Sequence, residues 1–443
     1  MVVNLKKILR YLIYFIIVEA ILGGAGRIIA VKSLSFRMIL YIAAFAVFGL
    51  ILIMDRRDVF SRLKKPDINS ILIIMFGLWI ILTAAHGYFI TKNSLSQVVG
   101  DVTGYVSLAL LILFSYTFDH KFQIDFIMKL TAVSVVIQAI VILTIHYLLG
   151  FGVLYFDTMN SILQELYIGH LAYVYPGAIR IFFKSSVYLQ IGFVFLAAML
   201  SHERDKKKRT LLYIGLILVS YAIIISFTRG FWLGAAVAAV MYLMCRHVKH
   251  VLKTIAVLLC GIVVMMGLSA AVYGNFDVAY CLASRVGINV KVPSAVQEKK
   301  VSAPGADTEG EDLSADYRQK LSSTMMKEIE DDPVTGNGFG VVLRQIGQEQ
   351  SRSEYMYLDI LMEQGVIGLA LYMGLFIVML KQWLDIRKHC YDKSNLYIID
   401  AFMVSLVGLI ITSGINPFLN NPIGITYLIM CVSAIKVYRE ENL

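Results

Sequence analysis

The sequence predicts an all-α, polytopic integral membrane protein with about twelve transmembrane helices and a large extracytoplasmic loop that carries an amphipathic helix. Three observations carry this expectation. The chain of 443 residues is 58% hydrophobic and only 16% charged, with a mean hydropathy of +0.72, and one soluble core cannot bury so much apolar side chain. Its basic residues fall in short clusters between apolar runs, the bias that orients membrane helices. One long polar stretch, residues 274–354, interrupts the apolar pattern. The net charge of +9 is therefore read as topology, and no nucleic-acid partner is expected, because no aromatic-interleaved basic surface accompanies it.

Apolar runs of roughly 20 residues, enough to cross a bilayer, lie at 11–31, 38–54, 68–87, 101–118, 130–150, 182–201, 210–227, 230–245, 253–273, 355–380, 397–414 and 423–437. Lys6, Lys7 and Arg10 precede the first, which is long for a signal peptide and is followed by many more, so a retained first helix is expected. Alternate connections are basic: Arg56, Arg57, Arg62, Lys64 and Lys65; Lys121 and Lys129; Arg204, Lys206, Lys207, Lys208 and Arg209; Arg246, Lys249 and Lys253; Lys381, Arg387, Lys388 and Lys393. These are assigned to the cytoplasm, and with them both termini.

The division that follows has residues 1–273 as helices one to nine, 274–354 as the extracytoplasmic loop, and 355–443 as helices ten to twelve. Within the loop, residues 291–312 hold Pro293, Pro304, Gly305 and Gly310 among small polar residues and read as a flexible insertion. Leu313, Tyr317, Leu321, Met325 and Ile329 then recur every fourth residue, which predicts an amphipathic helix over 313–331 that stops at Asp332-Pro333. A second long outer connection, 151–181, is rich in tyrosine. No internal repeat and no Walker or Rossmann glycine pattern is present, so nucleotide is not expected as donor or energy source, and no cofactor is implied. Cys245, Cys260, Cys281, Cys390 and Cys431 form no CxxC pair, and His86, His146, His170, His247 and His250 give no coherent metal set, so no metal is expected.

Two groups of residues carry chemistry. The first is arginine on the outer side. The segment 210–245 is flanked by basic cytoplasmic residues, so it goes out and returns; its 36 residues extend about 54 Å as helix, whereas two crossings need about 60 Å. The turn Ser226-Phe227-Thr228-Arg229-Gly230 is thus expected at or slightly below the outer surface. Arg180, entering the sixth helix, Arg285 after the ninth and Arg318 on the amphipathic helix would join Arg229 in a basic pocket suited to phosphate oxygens. Each alone also fits an ordinary headgroup contact. Lys184, Arg344 and Arg352 are weaker members.

The second group surrounds the glycine-punctuated stretch after Asp332-Pro333: Gly336, Gly338 and Gly340 allow positive φ in a tight loop. Behind it, Glu354, Asp359 and Glu363 stand at the head of an apolar helix, where unpaired carboxylates are costly. Glu354 fits either a helix N-terminal acid or a proton acceptor. Glu19, inside the first helix, needs a partner for the same reason. Tyr167, Tyr173 and Tyr175 suit sugar stacking, and suit a membrane interface better.

On these residues the chain resembles the O-antigen ligase and O-antigen polymerase superfamily of bacterial polysaccharide assembly. The likeness rests on Ser226-Phe227-Thr228-Arg229-Gly230 and the arginines Arg180, Arg285 and Arg318. It rests also on Asp332-Pro333-Val334-Thr335-Gly336-Asn337-Gly338-Phe339-Gly340, on Tyr357-Leu358 with Glu363-Gln364-Gly365-Val366-Ile367-Gly368, and on Asn416-Pro417. The resemblance implies a GT-C type glycosyltransferase of the bacterial plasma (inner) membrane with an extracytoplasmic active site. Its donor and acceptor would be polyprenyl-diphosphate-linked glycans, of the undecaprenyl diphosphate kind, with no obligatory metal. Membrane lipids, a flippase and a chain-length regulator are the partners such a setting offers.

In the implied mechanism Arg180, Arg229, Arg285 and Arg318 hold the donor diphosphate and stabilise the charge that grows on it. Glu354 takes the proton of the attacking sugar hydroxyl, which gives inversion in one displacement. Tyr355, Lys184, Arg344 and Asn416 are secondary candidates. Ligases of this family usually carry a His-Asn pair where this chain has Glu354-Tyr355, and that departure favours a polymerase over a ligase. A lipid-linked oligosaccharide flippase or transporter is the rival of another class; related halves, usual in transporters, are not detectable here.

Overall fold

The structure is a computed structural model that describes residues 2–24, 26, 30–31, 34–63, 67–175, 178–245, 251–285, 288, 310–347, 351, 353–390 and 396–442. Residues 291–309 of the expected insertion lie outside these, as do Lys64, Lys65, Arg246, His247, Lys249, His250, Arg352 and Lys393. Regular structure is helical almost throughout. The helices are α1 (Val2–Leu22), α2 (Phe36–Met54), α3 (Arg56–Leu63), α4 (Ile68–Ala85), α5 (Leu95–Tyr105), α6 (Leu110–Thr117), α7 (Lys121–Gly150), α8 (Phe156–Glu165) and α9 (Val187–His202). There follow α10 (Lys206–Ile225), α11 (Arg229–Cys245), α12 (Val251–Tyr273), α13 (Asp277–Arg285), α14 (Gly310–Asp331), α15 (Met356–His389), α16 (Leu396–Ser413) and α17 (Pro422–Asn442). Two short antiparallel pairs accompany them, β1 (Ala30–Val31) with β2 (Leu34–Ser35), and β3 (Gly169–Tyr175) with β4 (Ala178–Phe183).

Nine helical stretches among the described residues are long and apolar enough to cross a bilayer, and α9 and α11 are apolar but shorter. Large apolar side chains such as Leu252, Leu259, Val263 and Val264 of α12 stand fully outward, which only a lipid environment tolerates over so long a helix. The chain is an all-α polytopic integral membrane protein. Helix lies over each expected run, with two displacements. The first helix starts at Val2 and closes at Leu22, before Gly23 and Gly24, the latter at φ +57°. The sixth expected helix starts at Val187, because Ala178–Phe183, alternately buried and rich in β-branched and aromatic residues, pairs as a strand with Gly169–Tyr175. Arg180 therefore sits in β4 and not at a helix entrance.

The chain divides into two compact units. One comprises Met1–Tyr14, Tyr41–Phe126 and Leu313–Leu443. In it α15 packs on α4, and α16 and α6 pack on α17. Phe76 lies between Tyr372 and Tyr105, with ring centroids 4.9 and 5.7 Å away, and Phe339 follows on Tyr105 at 5.8 Å. Helix α14 docks as its periodicity requires: Leu321, Met325 and Ile329 are buried with Leu343 and Met362, and Tyr355, Leu358 and Leu361 pack alongside. The helix begins three residues earlier than expected, at Gly310.

The other unit comprises Phe15–Leu40 and Ile127–Asp312. Here α9 packs on α10 and α11, and α10 on α12. Glu19 finds the partner its position demands: Arg37 donates to both its carboxylate oxygens, at 2.6 and 3.1 Å, and to Gly24 O at 2.8 Å. A polar knot ties α7, α10 and α12, with Ser269 Oγ 2.6 Å from His146 Nε2 and accepting from Tyr221 at 2.7 Å. His146 is thereby committed to the helix packing.

Candidate active site

Helix α10 stops at Ile225 and α11 starts at Arg229, and the turn between them is held by its own hydroxyls. Ser226 Oγ donates to Ile223 O at 2.7 Å and accepts the Thr228 N–H at 3.3 Å. Thr228 Oγ1 donates to Ser226 O at 3.0 Å. Phe227, with its side chain fully buried, takes φ +46°, a left-handed conformation that costs a non-glycine residue about 1–2 kcal/mol. Burial of the ring and the hydroxyl ties offset that cost.

Three of the expected arginines meet at this turn from separate elements. Arg229 opens α11 and is exposed. Arg180, from β4, donates through Nη2 to Thr228 Oγ1 at 3.2 Å, and its Cζ lies 4.9 Å from the Phe182 ring, which stacks on Phe231 of α11. Arg285, the last residue of α13, donates through Nη1 to Phe227 O at 2.9 Å. Fixed guanidinium forks beside a helix N-terminus form an anion-binding arrangement.

The hairpin adds polar neighbours. His170 pairs with Phe182 in the strand register, its ring 5.1 Å away. Burial holds its pKa below the usual imidazole value, and the Arg180 and Lys184 charges push it the same way. Lys184 is exposed, with Nζ 5.3 Å over the Tyr167 ring. Tyr173 stacks on Phe156 at 4.2 Å, so Tyr167 and Tyr173 each have one face covered by protein. The side chain of Tyr175 lies outside the described residues.

The remaining candidates belong to the unit that holds α14 and α15. Arg318 Nε meets Glu354 Oε2 at 2.9 Å, both side chains about half exposed. Two residues expected in different roles are thus an ion pair. Tyr355 packs against the α14 cluster, Arg344 is exposed in a short 3-10 turn, and Asn416 lies half-buried in the connection from α16 to α17. Asp359 is buried and accepts the Ser353 N–H with both oxygens, at 3.3 and 3.2 Å.

Beside them, the glycine-punctuated loop is spliced into α15. Gly365 leaves the helical conformation, with φ +64° and ψ −170°. That breaks the two helical bonds that would join Val366 N to Met362 O and Ile367 N to Glu363 O. The loop replaces both: Asn337 and Gly338 donate to Met362 O and Glu363 O at 2.8 and 3.0 Å, while Val366 and Ile367 donate to Pro333 O and Val334 O at 2.9 and 3.3 Å. A Cβ on Gly365 would stand 2.1 Å from Val334 O. Gly336, Gly338 and Gly340 all take positive φ, as expected. Buried Asp101 of α5 clasps the far end, accepting from Gly340 N at 2.9 Å and Ser351 Oγ at 2.7 Å. At the near end Asp332 accepts the Thr335 hydroxyl and N–H, and the hydroxyl bond draws its carboxyl below the usual range.

The sequence did not signal Thr228 as the partner of Arg180, Phe182 as its platform or the strained Phe227. The contacts join residues about fifty positions apart, and no local pattern reports them.

Fold and turn together define a polytopic membrane protein in which arginines from β4 and α13 are tied to the turn that opens α11. Residues 214–373 match the family model described as O-antigen ligase. The match spans the turn, Arg229, Arg285, Arg318, Glu354 and the spliced loop. Over 448 aligned positions the chain is 25% identical to a Shigella flexneri protein described as an O-antigen polymerase, covering 99% of this chain and 97% of that one. Both comparisons show the chain to be similar to O-antigen ligases and O-antigen polymerases.

Proposed function

We propose that the protein is a membrane glycosyltransferase of O-antigen assembly that polymerises polyprenyl-diphosphate-linked repeats on the extracytoplasmic face of the bacterial inner membrane. The observation that carries this reading is the meeting of Arg180, Arg229 and Arg285 at one strained turn. A donor diphosphate leaving the anomeric carbon gains negative charge, and preorganised guanidinium groups stabilise it most where charge grows. The reading therefore assigns the leaving group to arginines and calls for no metal, as in a GT-C type enzyme.

In the proposed step the acceptor hydroxyl oxygen bonds to the anomeric carbon as the carbon–oxygen bond to the diphosphate breaks. The electron pair departs with the diphosphate, and Glu354 accepts the hydroxyl proton. Glu354 starts as the partner of Arg318, so the carboxylate acts once that exposed pair opens. Full-length similarity to a protein described as a polymerase, together with Glu354-Tyr355 at the position of the ligase His-Asn pair, supports polymerisation. Ligation to another acceptor is the second reading, favoured by the description of the matching family model.

The test is surface-glycan length in cells whose only copy carries Arg229→Ala or Glu354→Gln at normal expression. Single-repeat glycan is expected from both. Full-length polymer from either variant removes that residue from the mechanism, and polymer accumulating on the lipid carrier without transfer would favour ligation.

A further inference from the structure

We propose that Thr228 is a positioning residue for the basic turn: its hydroxyl aims Arg180 without itself touching the anion. The proposal rests on the reading of this turn as the diphosphate site. A threonine hydroxyl has one hydrogen and two lone pairs. Thr228 Oγ1 lies 3.0 Å from Ser226 O, and a carbonyl only accepts, so the hydrogen is committed there. What remains toward Arg180 Nη2, at 3.2 Å, is a lone pair, and a guanidinium only donates. The contact has a single polarity and cannot invert.

The neighbouring residue does the same for Arg285. Phe227, turned by its φ of +46°, points its carbonyl at Arg285 Nη1 from 2.9 Å. Consecutive residues of one turn therefore set the two arginines that come from β4 and α13, and Arg229 is the next residue along. Thr228 is 7% exposed, so water is poorly placed to replace its oxygen. The turn acts as a template, and the threonine hydroxyl is the part of it that a shape-preserving substitution removes.

The experiment measures binding of inorganic pyrophosphate to the purified full-length chain in detergent by calorimetry. Thr228→Val keeps the shape and loses the lone pair; affinity is expected to fall about tenfold, the scale of one charge-assisted hydrogen bond. Thr228→Ser restores the hydroxyl and is expected within about twofold of the parent, while Ser226→Ala, which loosens the turn but leaves Thr228 intact, stays within about threefold. Thr228→Ala serves the same comparison if the valine variant does not fold. Unchanged affinity in the valine variant, alongside loss in Arg229→Ala, overturns the positioning role and leaves the diphosphate site standing. A serine variant as weak as valine, or equal loss in Ser226→Ala, overturns it too. No binding by the parent chain sinks the diphosphate reading, and this proposal with it.

Discussion

At the scale of single residues, a half-buried histidine and a buried ion pair make opposite demands on charge. His170 is held neutral by burial and by the Arg180 and Lys184 charges, its pKa lowered below the ordinary value of 6.5. The unfolded chain then binds a proton more readily than the folded one, so stability rises with pH across the window between the lowered value and 6.5. Acidification below pH 6.5 is expected to loosen the β3–β4 hairpin, and His170→Gln to remove that sensitivity; melting temperature against pH in detergent checks it, and parallel curves would refute it. Glu19 and Arg37 are only 5% and 6% exposed. Glu19→Ala leaves a guanidinium in a site built around its carboxylate, which is expected to cost about 3–5 kcal/mol. Replacing both with methionine should recover most of the loss, read as the return of the melting temperature. The need of Glu19 for a partner was legible in the sequence, because a carboxylate inside an apolar run cannot stay unpaired. Which residue met it was not, since that depends on how the chain reverses after Gly23 and Gly24.

At the scale of elements, the splice of the 332–340 loop into α15 separates what periodicity reveals from what it hides. The three positive-φ glycines and the amphipathic α14 were readable, since both follow from local conformational rules. The break at Gly365 was not. Its flanks are apolar and helical on both sides, and the bonds that compensate it come from a segment about thirty residues earlier. The four amides of Asn337, Gly338, Val366 and Ile367 exchange partners in one pattern, so they are expected to resist hydrogen exchange together. Gly365→Ala would force a Cβ to 2.1 Å from a backbone carbonyl, and α15 would regain its own hydrogen bonds only by ejecting the loop. Exchange of Asn337 and Gly338 should then accelerate while Val366 and Ile367 stay protected. Uniform protection in the variant would show that the loop does not depend on the break.

At the scale of the whole molecule, the placement of the basic turn in the membrane follows from helix lengths. Helix α10 has 20 residues, of which Lys206, Lys207, Lys208 and Arg209 belong at headgroups, because four adjacent charges are costly in hydrocarbon. The sixteen left rise about 24 Å. Helix α11, with 17 residues, rises about 26 Å. Both fall short of the roughly 30 Å hydrocarbon thickness, so with their basic ends in the cytoplasm the turn at Phe227 would lie a few ångströms below the outer surface. An arginine there gains from a bound anion what it loses in hydration. From the same charge pattern α14 is expected outside and both termini inside. In a background with the five native cysteines replaced, Lys327→Cys, exposed on α14, is expected to react with a small membrane-impermeant maleimide in intact cells. Lys207→Cys, exposed at the head of α10, should react only after the inner membrane is permeabilised. If the two labelled alike, the basic clusters would not be reporting orientation; labelled in reverse, they would put the arginines at Phe227 on the cytoplasmic side, against the proposed extracytoplasmic site.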